Sequence, residues 1–466
     1  MPLVGPEFGT KGIMAIETLE TDYLIVGAGA MGMAFADEVL ARDKNADIIM
    51  VDRHARAGGH WNDAYAYVKL HQPAAFYGVN SEDLGPGGAA LVTGTEVLAY
   101  YERVLEKLKA TGRIRFFFKS DYIGECTIRS LVESENEFKV QVRKKVVDAS
   151  YMKVEVPSTR PPVYEVAEGV WLEAPNALPH LADAPEGYVI VGSGKTGIDA
   201  VLFLLGQGVS PQRIQWIMPN DAWLLDRARL APGKIAKGIL QMSAFADAET
   251  LEELFTALEG AGNVLRLDGN VWPTKYRCAT VSEEELHQLR RIENVIRQGR
   301  VVRIQAESIE LEKGTIPTSP KILHVDCTAD GLAKREVRPV FEGAQITLQS
   351  VSMCQQVFSA SLIGYVETRF SDEKLMNEIC QVVPHPEHSK DFVLSSLLAN
   401  QNVTRWLKEF PRWLLGSRLS ISHHEGILKL LIAAFRTRKA MASSNENLKR
   451  MVEREFPEDD FLGFLK

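Results

Sequence analysis

The sequence predicts an α/β fold with two Rossmann-like domains, one inserted into the other, and a helical C-terminal region. Two glycine-rich turns, near residues 27 and 192, each follow a short apolar strand and open a helix, as is typical of dinucleotide-binding domains. The 466 residues are also enough for two or three domains that each bury a core of their own.

The first glycine-rich turn lies in a complete strand, turn and helix unit. Residues 23–26 form the strand, and the turn reads Gly27-Ala28-Gly29-Ala30-Met31-Gly32 ahead of a helix to residue 40. Gly27 permits the tight turn, Gly29 lets backbone approach a pyrophosphate, and Gly32 lets the helix pack on the strand. The helix N-terminus, at Ala30 and Met31, offers unpaired N–H groups to an anion. A second strand over 47–51 ends at Asp52, whose carboxylate can accept hydrogen bonds from ribose hydroxyls.

The same arrangement recurs later in the chain. A strand over 188–191 precedes the turn Gly192-Ser193-Gly194-Lys195-Thr196-Gly197, a helix to residue 205 and a strand over 213–218, after which Asn220 and Arg227 follow. We interpret this as a second dinucleotide unit, although such a unit can persist structurally after losing its ligand. A P-loop is excluded, because that motif needs four residues between its first glycine and the Gly-Lys pair, whereas Gly192 is two residues before Gly194.

The remaining segments predict how the domains are arranged. Alternation over 138–142 and 151–156 predicts an antiparallel meander, followed by a crossover through Pro161-Pro162. A late strand over 322–326 ends in the small-residue turn 327–331, which would return the chain to the first sheet. The first domain would therefore span 18–165 and 320–466, and the inserted domain 166–319. From residue 390 onward the pattern is helical, with one packed face that comprises Trp406, Phe410, Trp413 and Leu414.

Composition disfavours several classes of partner. Lys and Arg number 53 against 61 Asp and Glu, a net charge of -8 that lacks the basic field required for nucleic acid. The apolar stretch over 427–435 is too short to span a membrane. The five cysteines are far apart in sequence, so we expect no zinc site or redox dithiol and a reducing, cytoplasmic location. The spacing of the histidine pairs at 385/388 and 423/424 does not suit a metal site, so no metal is predicted. The expected partner is a small-molecule substrate.

Residues 53–61 carry a family resemblance. Arg56-Ala57-Gly58-Gly59-His60-Trp61 follows the first ribose acid and matches the pattern R-x-G-G-x-W, so the chain resembles the flavin-dependent monooxygenases. The resemblance implies that the first unit holds FAD and the second holds NADH or NADPH. It implies that Gly27, Gly29, Gly32 and Asp52 bind the adenine half of FAD, and that Arg56, Gly59 and Trp61 flank its pyrophosphate and ring. Arg53 and His60 belong to the same cofactor-binding segment.

Two departures from the family pattern concern the second unit. The linker signature F-x-G-x-x-x-H-x-x-x-W is missing before residue 188, where the chain reads Glu173-Ala174-Pro175-Asn176-Ala177-Leu178-Pro179-His180. Relatives that use NADPH place an arginine after the second strand, whereas this chain has Asp221, which would repel a 2'-phosphate. Arg227 could reach back across the turn and outweigh it, so the choice between NADH and NADPH stays open.

The candidate catalytic residues are His71 and Gln72, in the segment that the resemblance places beside the reactive face of the flavin. A histidine can act as acid or base on a substrate, and a glutamine can hydrogen-bond the flavin edge. The alternative is a buried pair that orders the loop.

The resemblance implies an NAD(P)H-using monooxygenase that forms a C4a-(hydro)peroxyflavin and oxygenates a small organic molecule. Two alternatives remain: an FAD-dependent oxidase or dehydrogenase with a vestigial nicotinamide site, and a flavin-binding scaffold without turnover. Disulfide reductases are disfavoured because no cysteine pair is apparent.

Overall fold

The computed structural model describes residues 17–86, 91–133, 136–152, 154–233, 246–329, 335–424 and 427–457. The helices are α1 (Ala30–Arg42), α2 (Gly94–Lys109), α3 (Lys195–Gly206), α4 (Leu251–Gly260), α5 (Glu283–Leu289), α6 (Gln356–Arg369), α7 (Glu373–Ile379), α8 (Ser389–Glu409), α9 (Pro411–Gly416) and α10 (Ile427–Glu455).

The strands occur in four sheets within these ranges. They are β1 (Glu17–Val26), β2 (Ile48–Val51), β3 (Ile114–Phe117), β4 (Ser120–Tyr122), β5 (Thr127–Ser130), β6 (Glu137–Asp148), β7 (Glu165–Val166), β8 (Leu172–Glu173), β9 (Gly187–Val191), β10 (Ile214–Ile217), β11 (Ala222–Asp226), β12 (Val264–Leu265), β13 (Lys275–Val281), β14 (Val295–Ile296), β15 (Val301–Ile304), β16 (Ser308–Leu311), β17 (Gly314–Pro317), β18 (Ile322–Asp326), β19 (Phe341–Glu342) and β20 (Gln345–Thr347).

The first sheet has the order β19-β20-β6-β1-β2-β3, and β4 and β5 extend from β6 as an antiparallel meander. Strands β1, β2, β3 and β6 are parallel. The predicted strand at 138–142 is part of β6, but of the predicted strand at 151–156 the described residues, all except Lys153, form none. Asp148 ends β6 by accepting hydrogen bonds from the Ser150 backbone and hydroxyl, which turns the chain out of the sheet.

The second sheet is parallel, in the order β14-β10-β9-β18-β8. Its four strands β14-β10-β9-β18 repeat the order of β3-β2-β1-β6 in the first sheet. The strand at 322–326 pairs with β9 here and does not open the return to the first sheet, which comes later, at β19 and β20. Of the turn at 327–331, Asp330 and Gly331 lie outside the described residues. We keep the two-domain division as a proposal, with its second boundary moved beyond β18.

The C-terminal helices pack on the first sheet through α1. Helix α6 lies along α1, and the carboxylate of Glu38 on α1 accepts hydrogen bonds from Trp413 Nε1 (2.7 Å) and the Ser361 hydroxyl (3.1 Å). The packed face predicted from residue 390 onward is buried, as expected: Trp406, Phe410, Trp413 and Leu414 all belong to the core beneath the first sheet. The predicted α/β class is confirmed, with a Rossmann-like βαβ unit in each of the two larger sheets and a helical C-terminal region.

Two smaller sheets complete the fold. Strands β11, β12 and β13 share a hydrophobic core with α8 and α10, in which the rings of Tyr276 and Phe392 of α8 have centroids 4.5 Å apart. Strands β7, β15, β16 and β17 pack on the second sheet. A disulfide joins Cys278 of β13 to Cys354, two residues before α6 begins. Among the described residues, no helix is long and apolar enough to cross a membrane.

Candidate cofactor cleft

The first glycine turn is closed tightly against strand β2. Gly27 has a φ of 106° and its N–H donates to Val51 O at 2.8 Å. A Cβ on Gly32 would lie 2.1 Å from Gly27 O, so only glycine lets α1 approach the turn this closely. Helix α1 begins after Gly29 without a side-chain cap, so the N–H groups of its first turn, around Ala30 and Met31, are available to an anion.

The structure brings the segment that carries Trp61 directly onto this turn. The Gly58 N–H donates to Ala28 O at 2.9 Å. Gly59 has a φ of 55°, and a Cβ there would lie 3.0 Å from Gly29 Cα. Two backbones without side chains therefore meet where the predicted cofactor-binding residues Gly29 and Gly59 face each other.

Asp52, at the end of β2, is buried and uses both of its carboxylate oxygens. Oδ2 accepts from Ala28 N at 2.7 Å, and Oδ1 accepts from His54 N at 2.8 Å. The His54 ring bridges two acids, with Nδ1 2.9 Å from Asp52 Oδ1 and Nε2 2.8 Å from Asp63 Oδ2. Sequence reasoning missed His54 and Asp63, although a histidine two residues after the ribose acid was a visible signal.

The aromatic residues after the turn pack together. Trp61 is buried and donates from Nε1 to Tyr77 OH at 2.7 Å, and the His60 ring stacks on it with centroids 5.2 Å apart. Burial lowers the pKa of His60 to about 4. The two arginines lie at the rim of this segment. Arg56 Nε donates to Asn62 Oδ1 at 2.8 Å, and the Arg53 side chain is 72% exposed and 3.9 Å from Asp121.

The second glycine turn has the same geometry as the first. Gly192 has a φ of 117° and donates to Ile217 O at 3.0 Å, and a Cβ on Gly197 would lie 2.1 Å from Gly192 O. Helix α3 also lacks a side-chain N-cap, and Thr196 is half-buried in its first turn. Gly194 differs from Gly29, because a Cβ on it would meet nothing within 4 Å. The second turn is therefore open where the first is covered by Gly59.

The matching hydrogen bonds make Val51 equivalent to Ile217, and hence Asp52 equivalent to Met218, which is buried. The second unit thus has an apolar residue where the first has its ribose acid. Two residues later, Asn220 O accepts from the Ser193 hydroxyl at 2.8 Å, which ties the end of β10 to the second turn.

The cations beside the second turn are paired with acids. Asp221 accepts from Arg297 through both oxygens, at 2.8 and 3.1 Å, which raises the pKa of Arg297. Asp221 is therefore neutralised and does not stand free to repel a phosphate. Arg227 is buried and donates to Glu285 Oε2 at 2.6 Å, and Lys195 pairs with Asp199. Sequence reasoning missed Arg297, since only the sheet order places β14 beside β10.

His71 lies at a contact between the two predicted domains. The Thr280 hydroxyl of β13 donates to His71 O and accepts from Arg227 Nε at 3.4 Å. Burial, with smaller effects from the charges of Lys195 and Arg227 and from His60, lowers the pKa of His71 to about 4. The structure thus brings His60, His71, Lys195 and Arg227 into one region. Gln72 instead donates to Phe76 O of its own loop at 3.3 Å.

A tyrosine pair from the first unit also packs on α3. Tyr65 OH donates to Asp199 Oδ2 at 2.7 Å, and the Tyr67 ring stacks on Phe203 with centroids 4.1 Å apart. Burial raises the pKa of Tyr65 well above its usual value, so the hydroxyl keeps its proton and remains a donor. Sequence reasoning did not identify either tyrosine as a contact between the two units.

Comparison with known proteins agrees with this architecture. Residues 25–80 match the family of NAD(P)-binding Rossmann-like domains. A cyclohexanone-bound crystal structure of cyclohexanone monooxygenase in the rotated conformation is 12% identical, covering 85% of this chain and 99% of that chain with a TM-score of 0.51. That likeness shows a shared fold.

Two mycobacterial relatives are closer in sequence. "Uncharacterized protein Rv2000" of Mycobacterium tuberculosis (strain ATCC 25618 / H37Rv) is 41% identical over 464 residues, which cover 94% of this chain and 85% of that protein. "Uncharacterized protein Mb2023" of Mycobacterium bovis (strain ATCC BAA-935 / AF2122/97) matches with the same identity and coverage. The chain belongs to the family of these two mycobacterial proteins and has the fold of a flavin monooxygenase.

Proposed function

We propose that this protein is an FAD-dependent oxidoreductase, and within that class an NAD(P)H-using monooxygenase that oxygenates a small organic molecule. The observation that carries the proposal is a pair of glycine turns that close in the same way, each in a sheet where four strands follow the same order. His71 lies between the two turns. The fold shared with cyclohexanone monooxygenase supports the choice of a monooxygenase.

The first turn fits FAD. Gly27, Gly29, Ala30, Met31 and Gly32 would hold the pyrophosphate on the uncapped end of α1, because a Cβ at the third glycine has no room. Buried Asp52 would take the adenosine ribose. The segment from Arg53 to Trp61 would flank the remainder, with Gly59 and His60 nearest to the turn and Arg53 and Arg56 at the rim.

The backbone of the second glycine turn fits a nicotinamide dinucleotide. Gly192, Gly194, Lys195, Thr196 and Gly197 would bind the pyrophosphate at the open end of α3, and Asn220 would border the adenosine. Arg227 takes a different role from the one expected, because Glu285 and Thr280 hold its guanidinium in the interior. We propose that Arg227 instead supports the Thr280 side chain, whose hydroxyl contacts His71.

The residues between the turns prepare the cleft for a redox reaction. Bound FAD would supply hydride transfer and reaction with dioxygen. His71 is neutral near pH 7 because its pKa is about 4, so its ring can accept a hydrogen bond from a substrate. Gln72 would order the loop, and the Tyr65 and Tyr67 contacts to α3 would exclude water from one side of the cleft.

The test is to purify the protein, identify the released flavin as FAD or FMN, and follow anaerobic flavin reduction by NADH and by NADPH. Reduced enzyme is then mixed with ¹⁸O₂ and a panel of cyclic ketones, amines and sulfides. We expect FAD, reduction by at least one nucleotide and ¹⁸O in a product. Colourless protein that does not take up added FAD would contradict the proposal at its root.

A second candidate function is an FAD-dependent oxidase or dehydrogenase with a vestigial nicotinamide site. It is favoured by Met218 at the ribose-acid position and by the pairing of Lys195 and Arg297 with acids. This candidate predicts that the oxidised enzyme binds neither nucleotide and that reduction by an organic substrate yields hydrogen peroxide without an oxygenated product.

A further inference from the structure

We propose that His54 is a positioning residue, held as an imidazolium between Asp52 and Asp63, which keeps the Asp52 carboxylate oriented for the FAD ribose and makes FAD retention fall as pH rises. The inference rests on the proposed FAD site.

Hydrogen-bond chemistry gives the charge of His54. Its Nδ1 faces Asp52 Oδ1 at 2.9 Å and its Nε2 faces Asp63 Oδ2 at 2.8 Å. Ionised carboxylates only accept hydrogen bonds, and neutral imidazole has a single N–H donor. Both contacts are satisfied together when both ring nitrogens carry a proton.

The bridge fixes the plane of the Asp52 carboxylate. Oδ1 takes the His54 backbone N–H as well as the ring, and Oδ2 takes Ala28 N from the first glycine turn at 2.7 Å. These three donors leave little rotational freedom, while Oδ2, which accepts only one of them, retains acceptor capacity for a ribose hydroxyl. A carboxylate held in this way pays less ordering entropy on binding.

The second acid is anchored from outside the first sheet. Asp63 O accepts from the Ser158 hydroxyl at 2.9 Å and from Asn176 Nδ2 at 3.0 Å, both in the chain that crosses between the sheets. His54 therefore connects the ribose acid to this crossover. The N–H of Lys119 donates to His54 O at 2.9 Å and fixes the backbone of the bridge.

The charges around the ring favour its protonated form. Burial lowers the pKa of His54, but the hydrogen bonds and charges of Asp63 and Asp52 outweigh it, so the net shift is upward. His60 lies close enough that the His54 charge contributes to its lowered pKa, so His60 stays neutral and adds no competing charge. Arg53, the preceding residue, and Lys119, whose N–H contacts His54 O, lie outside the two ring hydrogen bonds. The contribution of the bridge is thus complete below the unfolded pKa of about 6.5 and is lost as pH rises through the higher folded value.

The test measures FAD dissociation from the holoenzyme between pH 5.5 and 9, by recovery of flavin fluorescence, in wild type, His54→Phe and Asp63→Asn. We expect the wild-type dissociation constant to rise about three- to tenfold across the titration. His54→Phe should bind about tenfold more weakly at pH 6 and show a flat profile. Asp63→Asn should move the midpoint to lower pH, which a merely structural role would not do. His287→Phe, at an exposed position on α5, is the matched control and should behave as wild type.

The outcomes separate this inference from the proposed function. Protein that binds no FAD at any pH overturns the function itself. Tight FAD binding with a flat wild-type profile, or a His54→Phe profile equal to wild type, overturns the role of His54 and leaves the function standing. Should His54→Phe fail to fold, the histidine Cε1–H resonances of wild type decide the matter, because a His54 titration at or below the ordinary value contradicts the bridge.

Discussion

At Gly32 and Gly197 the two units provide matched tests of their separate sites. A methyl group at either position would lie 2.1 Å from a backbone oxygen, so the helix must shift away from the turn. We expect Gly32→Ala to lose FAD, with about 2 kcal/mol or more of destabilisation. Gly197→Ala should retain FAD but lose reduction by NADH or NADPH.

Flavin absorbance, anaerobic reduction and urea denaturation measure these effects. The control is Gly206→Ala, at the other end of α3, where a Cβ meets nothing within 4 Å. Equal FAD content in Gly32→Ala and wild type would show that the first turn does not hold the cofactor.

Residue by residue, sequence reasoning located the glycine turns but not the partners of the charged groups. The turns are local, and their roles follow from spacing alone. The sequence suggests an unpaired acid at Asp221, because its partner Arg297 is 76 residues away. It suggests that Arg227 can reach a bound nucleotide, because Glu285, which holds its guanidinium, is 58 residues away. Strand order decides which charged side chains pair, and the spacing of residues along the chain does not reveal that order.

Among the elements, the loop over residues 74–79 depends on one buried arginine. Arg418, 8% exposed, donates to Tyr77 O at 2.6 Å, Val79 O at 2.8 Å and Ala75 O at 3.0 Å. Arg418→Met would leave these carbonyl groups without their donor. We expect a loss of about 2–4 kcal/mol in the free energy of unfolding.

Weaker FAD retention should accompany that loss, because Tyr77 also holds Trp61. Urea denaturation and flavin release provide the measurements. Arg412→Met, at an exposed position on α9, is the control and should change stability by less than about 0.5 kcal/mol. A stability equal to wild type in Arg418→Met would mean that the loop is held by other contacts.

Two of the predicted strands differ from what the structure shows. Strand β18 was predicted correctly as a strand, but it pairs with β9 in the second sheet and the turn after it does not open the predicted return to the first, because apolar parallel strands look alike until their neighbours are known. The alternation at 151–156 was misleading, since the Asp148 turn takes the chain out of the sheet before pairing can continue. The C-terminal face around Trp406 was predicted because helical periodicity is local.

For the whole molecule, the disulfide between Cys278 and Cys354 is a testable cross-link between segments 76 residues apart. Closing a loop of this length restricts the unfolded chain and stabilises the fold by about 2–4 kcal/mol. We therefore expect a dithiol reductant to lower the melting temperature, and Cys354→Ser to reproduce that lower value without reductant.

Thiol titration of the unfolded protein provides the count. With five cysteines in the chain and Cys126, Cys327 and Cys380 free, three thiols should react before reduction and five after it. Cys126→Ser is the control and should leave the response to reductant unchanged. Five reactive thiols in unreduced protein would contradict the cross-link.

The hydrogen bond from Trp413 to Glu38 has a consequence for how the protein is made. The two residues are 375 positions apart, so at about 5–20 residues per second a ribosome needs roughly 20–75 s between them. During that interval the nascent chain carries α1 with its apolar face and the Glu38 carboxylate uncovered, because α6 and α9 have yet to emerge. The first glycine turn is thus synthesised well before the helices that complete the core supporting it.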